Sequence, residues 1–343
     1  LYGPAMAENI EKRPTLRSLA QITGLGISTV SQALRDSPEI AIETRKRVRL
    51  AAQQAGYRPN RAGVRLRTGK SNVITVILNP QDGGSGFFSN MIYGISDALP
   101  GTNYHLVVTP YSLSDPMAPV RYVVETNSAD GVIISRAQPD DQRVRYLVEN
   151  GMPFATHGRT DMGIEHAYVD YDNEAYAAKA VELLHKRGRK RAALFCPPPT
   201  LTYYRHTVHG FERGLTEAGI SGIVVSAVNS DANIADLRAA GFELASRREA
   251  PDAIVCTSSS IALAVIAGLK DGGKEIGVDY DLVAKPVGEL VSLAQPRIIA
   301  IGEDFRMAGK DLATMLMARI EGVDPVKLQK LHTPIISDAT AQN

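Results

Sequence analysis

Two periodicities divide the chain. Over residues 15–22 (Thr-Leu-Arg-Ser-Leu-Ala-Gln-Ile), Leu16, Leu19, Ala20 and then Thr23 fall at helical spacing, with Thr15 as the N-cap. Gly24, free of a Cβ, ends that helix in a tight turn. A second short helix is predicted over 27–34, turning Val30, Ala33 and Leu34 inward and leaving Ser28, Thr29, Ser31 and Gln32 on polar faces. A third, near 42–55, buries Val48, Ala51 and Ala52 and exposes Arg45, Lys46, Arg47 and Arg49. Helix, glycine turn, short polar-faced helix and supporting helix together describe a helix-turn-helix; a three-helix packing module is the plainer alternative.

From Asn72 the pattern changes to short apolar runs at 73–78, 104–109, 131–135, 153–156, 191–195, 222–226 and 252–256. Such runs suit strands buried on both faces of a parallel sheet. Amphipathic stretches fall between them, near 87–99, 117–126, 140–150, 174–187, 206–218, 233–246 and 259–270. Repeated β–α alternation predicts an α/β fold of doubly wound sheets, and the length suits two such subdomains.

Charge sharpens this division. Residues 11–70 hold thirteen Lys or Arg against four Asp or Glu, a balance of +9 in a chain whose total is +1. The remainder carries 25 basic and 33 acidic residues, or −8. A basic head on an acidic body is expected of a phosphate-binding module joined to a soluble sensor. No run approaches the roughly 18 apolar residues of a membrane helix. Positions 1–14 also lack the apolar core of a secretory signal, so a cytoplasmic protein without a membrane partner is expected. Leu1–Ala5, before Met6, reads as a cloning scar within a disordered tail of residues 1–13. Cys196 and Cys256 stand far apart and suggest small buried residues in a reducing compartment, with no metal and no cofactor.

The segments Thr15-Leu-Arg-Ser-Leu-Ala, Gly24-Leu-Gly-Ile-Ser-Thr-Val-Ser-Gln-Ala-Leu, Glu43-Thr-Arg-Lys-Arg-Val and Gly56-Tyr-Arg-Pro-Asn60 follow one another in order. They resemble the DNA-binding signature of the LacI/GalR family of transcriptional regulators, and the resemblance runs on, more weakly, through the rest of the chain. It implies that Ile27, Ser28 and Gln32 face bases in the major groove. Thr15, Thr29, Ser31, Tyr57 and Asn60 would hold phosphates, with Leu16, Arg35 and Thr44 in the same DNA-facing set. Two departures stand out. Many members have Arg at the position of Gln32 and Ser at that of Gly26. Arg pairs best with guanine and Gln with adenine, so an operator half-site with A·T replacing G·C is expected. Ala41 stands where the third helix usually has a capping Ser, so one phosphate contact is expected to be lost.

Residues 60–70 (Asn-Arg-Ala-Gly-Val-Arg-Leu-Arg-Thr-Gly-Lys) are basic and bounded by Pro59 and Gly69. Gly63 costs a helix about 1 kcal/mol against Ala. Isolated helices below about 12–15 residues are marginal, so ordering needs DNA and a second subunit. In the family this hinge enters the minor groove and a Leu wedges between base pairs. Leu66 is the matching position, followed by Arg67; a flexible basic linker is the alternative.

The implied organisation is a helix-turn-helix over 14–58, a hinge over 59–71, and a periplasmic-binding-protein-like effector and dimerisation domain over 72–343. Its first lobe would span about 72–172 plus 300–331, and its second about 173–299 plus the C-terminus. Val169-Asp-Tyr-Asp-Asn173 and Gly210-Phe211 match landmarks of that core. Ligands in open α/β sheets bind beyond the carboxyl ends of the strands. The expected lining from the first lobe is therefore Phe87, Phe88, Ser135, Arg136, His157 and Arg159. Asp172, Tyr203, Tyr204, His206, Ser258, Ser259 and Lys285 would complete it. Aromatic faces with polar donors suit a sugar-like effector, although Phe87 equally suits a core, Arg159 a salt bridge and His157 a structural role. Sugar-sensing relatives carry Arg where Thr207 stands, Asn-Asp where Ser258-Ser259 stands, and a late Asp near Pro286. With Arg136, Arg159 and Lys285 kept, a positive lining that favours a sugar acid is expected.

An enzyme is not expected. Gly83-Gly-Ser-Gly86 lacks the GxGxxG spacing, and the chain has no GxxxxGK[ST], GxSxG or HExxH motif and hence no catalytic set. The implied function is a regulator, by family habit a repressor of a catabolic operon. It would act as a homodimer on near-palindromic double-stranded DNA, since residues 331–343 hold no leucine heptad long enough for a tetramer. The alternatives are a protein corepressor as the signal, or a small-molecule-binding protein without regulated DNA release.

Overall fold

The computed structural model describes residues 14–57, 65, 69–79, 85–111, 113–285 and 298–336. The chain divides into two compact units, residues 1–71 and 72–343. Among the described residues no helix is long and apolar enough to cross a membrane.

The first unit contains α1 (Leu16–Thr23), α2 (Ile27–Ala33) and α3 (Ile42–Gln54). Thr15 caps α1 through a reciprocal box in which its hydroxyl accepts from the Ser18 amide and its own amide donates to the Ser18 hydroxyl. Gly24 ends α1 at φ 66°, a conformation that a Cβ disfavours. That bend aims α2 away from α1, and Leu19, Val30, Ala33, Val48, Ala51 and Ala52 close the core between the three helices. Neither Gly26 nor Ala41 gives its helix a side-chain cap.

The second unit begins with β1 (Val73–Leu78), α4 (Ser85–Asp97), β2 (His105–Pro110), α5 (Ala118–Thr126), β3 (Gly131–Ile134), α6 (Gln142–Glu149), β4 (Phe154–His157) and β5 (Ala167–Tyr171). The chain then passes to the second lobe, with α7 (Asn173–Lys186), β6 (Arg191–Phe195), α8 (Thr202–Ala218), β7 (Ser221–Val225), α9 (Ile234–Ala245), β8 (Ala253–Cys256), α10 (Ser259–Asp271), β9 (Asp281–Ala284) and β10 (Ile299–Gly302). It returns with α11 (Phe305–Ile320) and β11 (Gln329–His332), and ends on β12 (Ile335–Ile336).

The sheet orders are β11-β5-β4-β3-β1-β2 and β12-β10-β9-β8-β6-β7. The paired strands run parallel except β12, which is antiparallel to β10. In both sheets the order reverses between the first and third strands, the point where doubly wound folds open a crevice. α11 packs on α4 so closely that a Cβ at Gly94 would collide with the Arg306 carbonyl oxygen.

All seven predicted strands are present, two with the expected bounds and the others shifted or shortened by a residue. β5, β9, β10, β11, β12 and α11 add to the elements read from periodicity. β11 (Gln-Lys-Leu-His) is a polar edge strand, and β5 (Ala-Tyr-Val-Asp-Tyr) alternates polar and apolar residues though nearly all are buried, so neither has the apolar run of a central strand. The return to the first lobe, expected near residue 300, begins at Phe305, because β10 pairs with β9 in the second sheet.

Candidate functional site

Within the second unit, a cleft of about 820 Å³, including its open mouth, lies where the strands of both sheets end. From the first lobe come Phe87 on α4, Arg136 after β3, His157 and Gly158 at the end of β4, and Asp170 and Tyr171 at the end of β5. From the second come Asn173, Tyr203, Ser230, Thr257, Ser258 and Lys285, and Glu303 and Phe305 complete it at the crossover after β10.

The floor is a buried polar network. Lys285 Nζ donates to Asn173 Oδ1 at 2.6 Å and to Glu303 Oε2 at 3.3 Å, while Glu303 Oε1 lies 3.2 Å from His157 Nε2. The ammonium also sits 4.2 Å from the centre of the Tyr171 ring and 5.0 Å from that of Tyr176, so aromatic faces supply further cation stabilisation. Burial lowers the Lys285 pKa, with Glu303 opposing. Burial pushes Glu303 up, but Lys285 and His157 outweigh it and hold the carboxyl below its ordinary value. The pair persists because both charges have partners. Against it stands an aromatic wall, with Phe87 edge-on to Phe305 at 4.9 Å and 5.7 Å from His157.

A second cluster surrounds Asp170. Its Oδ1 accepts from the Tyr171 amide at 2.9 Å. Arg159 Nε stands 3.2 Å from Oδ2 but off the line a hydrogen bond needs, so Oδ2 has no hydrogen-bond donor among the described residues. Burial raises the Asp170 pKa, and Arg159 opposes it. At the rim, Arg136 pairs with Asp231 across the cleft.

Of the residues expected in the lining, the cleft gathers Phe87, Arg136, His157, Tyr203, Ser258 and Lys285. Phe88 and Tyr204 pack against the cores of their lobes. Asp172 is placed otherwise: its Oδ1 caps α7 by accepting from the Ala175 amide at 2.8 Å. Ser135 is buried beside the lining, His206 stands behind Asp170 and Arg159, and the Ser259 hydroxyl donates to the Lys285 carbonyl at 3.4 Å. The expected positive lining is corrected as well. Arg136 faces Asp231, Arg159 faces Asp170 and Lys285 faces Glu303, so each cation has a carboxylate beside it.

Gly158, Ser230, Thr257, Glu303 and Phe305 were not expected in the lining, and neither were Asp170, Tyr171 and Asn173, although their stretch matches a landmark of the core. Asp170 and Tyr171 end β5, which carries no apolar run. The signal for Glu303 was present: it follows Ile298-Ile-Ala-Ile-Gly302, a buried strand whose end opens on the crevice.

On the first unit, Ile27 and Ser28 are exposed at the start of α2, and Thr29, Ser31 and Gln32 are half-buried along it. Gln32 Nε2 lies 3.4 Å from Glu39 Oε2, and Arg35 Nε donates to the Ser31 carbonyl at 3.0 Å. Thr15 is exposed, Thr44 is half-buried on α3, and Leu16 and Tyr57 pack against the three-helix core. Asn60, Leu66 and Arg67 lie outside the described residues.

Residues 15–60 match the family described as bacterial regulatory proteins, lacI family, and residues 181–337 match the periplasmic binding protein-like domain. The HTH-type transcriptional regulator AglR of Rhizobium meliloti (strain 1021) is 31% identical over 317 residues, covering 89% of this chain and 87% of that protein. A crystal structure of the lac repressor dimer bound to operator and the anti-inducer ONPF aligns with a TM-score of 0.81 at 20% identity, covering 96% of this chain and 99% of the other. The transcriptional regulator CelR–cellobiose complex aligns at 0.68 and 23% identity, over 95% and 98% of the two chains. At such identities the two structures establish the fold alone.

Proposed function

This chain belongs to the lacI family of bacterial regulatory proteins and is a DNA-binding transcriptional regulator, and from that premise we propose that it represses a catabolic operon until a sugar-like effector occupies its cleft. The observation that carries the reading is the lining of that cleft by strand ends from both lobes. A molecule held by both lobes binds one lobe arrangement more tightly than another, and that difference is all that coupling to DNA requires. The aromatic wall and the polar floor suit the apolar faces and hydroxyls of a sugar. The relative solved with cellobiose supports this class of ligand.

Two copies of the chain would place two α2 helices on successive major grooves of a near-palindromic operator in the cytoplasm. Ile27, Ser28 and Gln32 are the base-reading residues in this proposal. Thr15, Thr29 and Ser31 hold phosphates, and the basic head supplies salt-sensitive affinity.

The test is fluorescence anisotropy of the full chain on near-palindromic duplexes with a central CG step, with and without a panel of sugars and sugar acids. Sequence-selective binding that one ligand releases is expected. Binding no better than to random duplex, or selective binding that no ligand alters, overturns the reading.

A further inference from the structure

The charges of the cleft identify the class of its effector, an inference that rests on the sugar-sensing reading above. Among the described lining residues, the charged groups are Arg136, Lys285, Asp170 and Glu303. The two cations are engaged. Both terminal nitrogens of Arg136 donate to Asp231, and Lys285 Nζ is held by Asn173 and Glu303. Glu303 is engaged too, through Lys285 on one oxygen and His157 on the other.

Asp170 is different. Its side chain is only 5% exposed and lines the cleft, and its Oδ2, though ion-paired with Arg159 at 3.2 Å, meets no hydrogen-bond donor among the described residues. A buried carboxylate oxygen without a donor is costly, so a ligand donor there gains more than the same contact made in water. A ligand carboxylate would meet Asp170 with Arg136 and Lys285 already taken, and like charges in a buried site repel. A ligand ammonium would instead stand beside Arg159 and Lys285, the cations that accompany the same carboxylates. A hydroxyl satisfies Oδ2 with neither penalty.

We propose that Asp170 Oδ2 accepts a hydroxyl hydrogen from an uncharged polyhydroxylated effector, and that the cleft therefore takes neutral sugars and rejects their acid and amino forms. Asp170 is a specificity-determining residue in this arrangement. The Phe87–Phe305 wall then packs against the apolar face of the sugar ring.

The experiment is calorimetry on the full chain at neutral pH. The probes are mono- and disaccharides, each tested as the neutral sugar, the uronic or aldonic acid and the amino sugar of the same skeleton. Binding confined to neutral members is expected, with the acid of the preferred skeleton about a hundredfold weaker. The monodeoxy analogues of that sugar are then titrated against the wild type and Asp170→Asn. Hydrogen bonds to charged groups carry about ten- to a hundredfold in affinity. The variant is expected to lose that much, and one deoxy position should cost the wild type a similar factor and the variant nothing more.

Tight binding of an acid or amino form overturns the proposal and leaves the sugar-sensing reading standing. Deoxy losses that all add in full to the loss from Asp170→Asn overturn the assignment of Asp170. If no sugar of any form binds while DNA binding is intact, the sugar-sensing reading falls along with the proposal. The wild-type panel decides the ligand class even if the variant fails to fold.

Discussion

Arg136 on the first lobe and Asp231 on the second meet in a two-pronged pair, Nη1 at 3.0 Å from Oδ1 and Nη2 at 2.6 Å from Oδ2. Arg136 takes up φ 58°, an unfavourable value for a residue with a Cβ. Its carbonyl is held by Arg143 Nη2 at 2.9 Å, and Arg143 is itself locked to buried Asp141. Next along the chain, the Ala137 carbonyl accepts from the Thr202 amide at 3.0 Å and the Thr202 hydroxyl at 3.1 Å. The strained turn at Arg136 is thus held from its own lobe by Arg143 and tied to the other lobe through Asp231 and Thr202.

Asp231→Ala is therefore expected to weaken effector binding about fivefold, the equivalent of about 1 kcal/mol for a partly exposed ion pair. Arg136→Lys is expected to do nearly the same, because an ammonium cannot reproduce the planar fork. Calorimetry with a binding sugar checks both. Unchanged affinity in the two variants would mean the pair plays no part in the liganded arrangement.

Lys285→Met strands Glu303 as a buried carboxylate. A loss of about 3–5 kcal/mol is expected, as for other broken buried pairs. Lys285→Met combined with Glu303→Gln is expected to recover most of it, since neither charge then remains buried. Urea unfolding of the full chain, followed through the transition of the second unit, separates the single from the double variant. A double variant as unstable as the single would show that packing, not charge, sets the cost.

Acidification is expected to destabilise the second unit below neutral pH. Burial lowers the pKa of His206, reinforced by Arg159 and opposed by Asp170, and burial likewise lowers His166. With the folded values below the unfolded one of about 6.5, the unfolded chain takes up protons first as pH falls. Stability is full above that value and declines below it, by up to about 1.4 kcal/mol per pH unit for each group, until the folded pKa is reached. Thermal unfolding between pH 7.5 and 5.5 should show the decline, and His206→Gln should flatten part of it. An identical pH profile in that variant would remove His206 from the account.

Gln32→Arg is expected to shift the preferred half-site from A·T toward G·C by about tenfold, because the guanidinium fork fits guanine and the carboxamide fits adenine. Anisotropy on paired duplexes differing at that base pair measures it. Equal preference in wild type and variant would take Gln32 off the base-reading face.

Local chemistry was enough to read the head and most of the strands. Leu19, Val30 and Val48 recur at helical spacing, Thr15 and Gly24 mark the ends of α1, and the apolar runs from Val73 to Cys256 are continuous because central parallel strands are buried on both faces. These features depend on neighbours a few residues away, which the sequence displays directly. The cleft depends on separations the sequence does not display. Lys285 and Asn173 meet within the second lobe although 112 positions apart, and His157 meets Glu303 only because the chain crosses back between the lobes after β10. Counting cations suggested a positive lining; whether a charge is available to a ligand depends on what folds against it. Arg136 had Asp231 waiting on the other lobe, while the buried Oδ2 of Asp170 has Arg159 beside it but no hydrogen-bond donor among the described residues. Sequence alone therefore determined the family, the helix-turn-helix head and the layered α/β plan. Tertiary structure decided which polar groups were already satisfied, because that balance is struck between residues far apart in the chain.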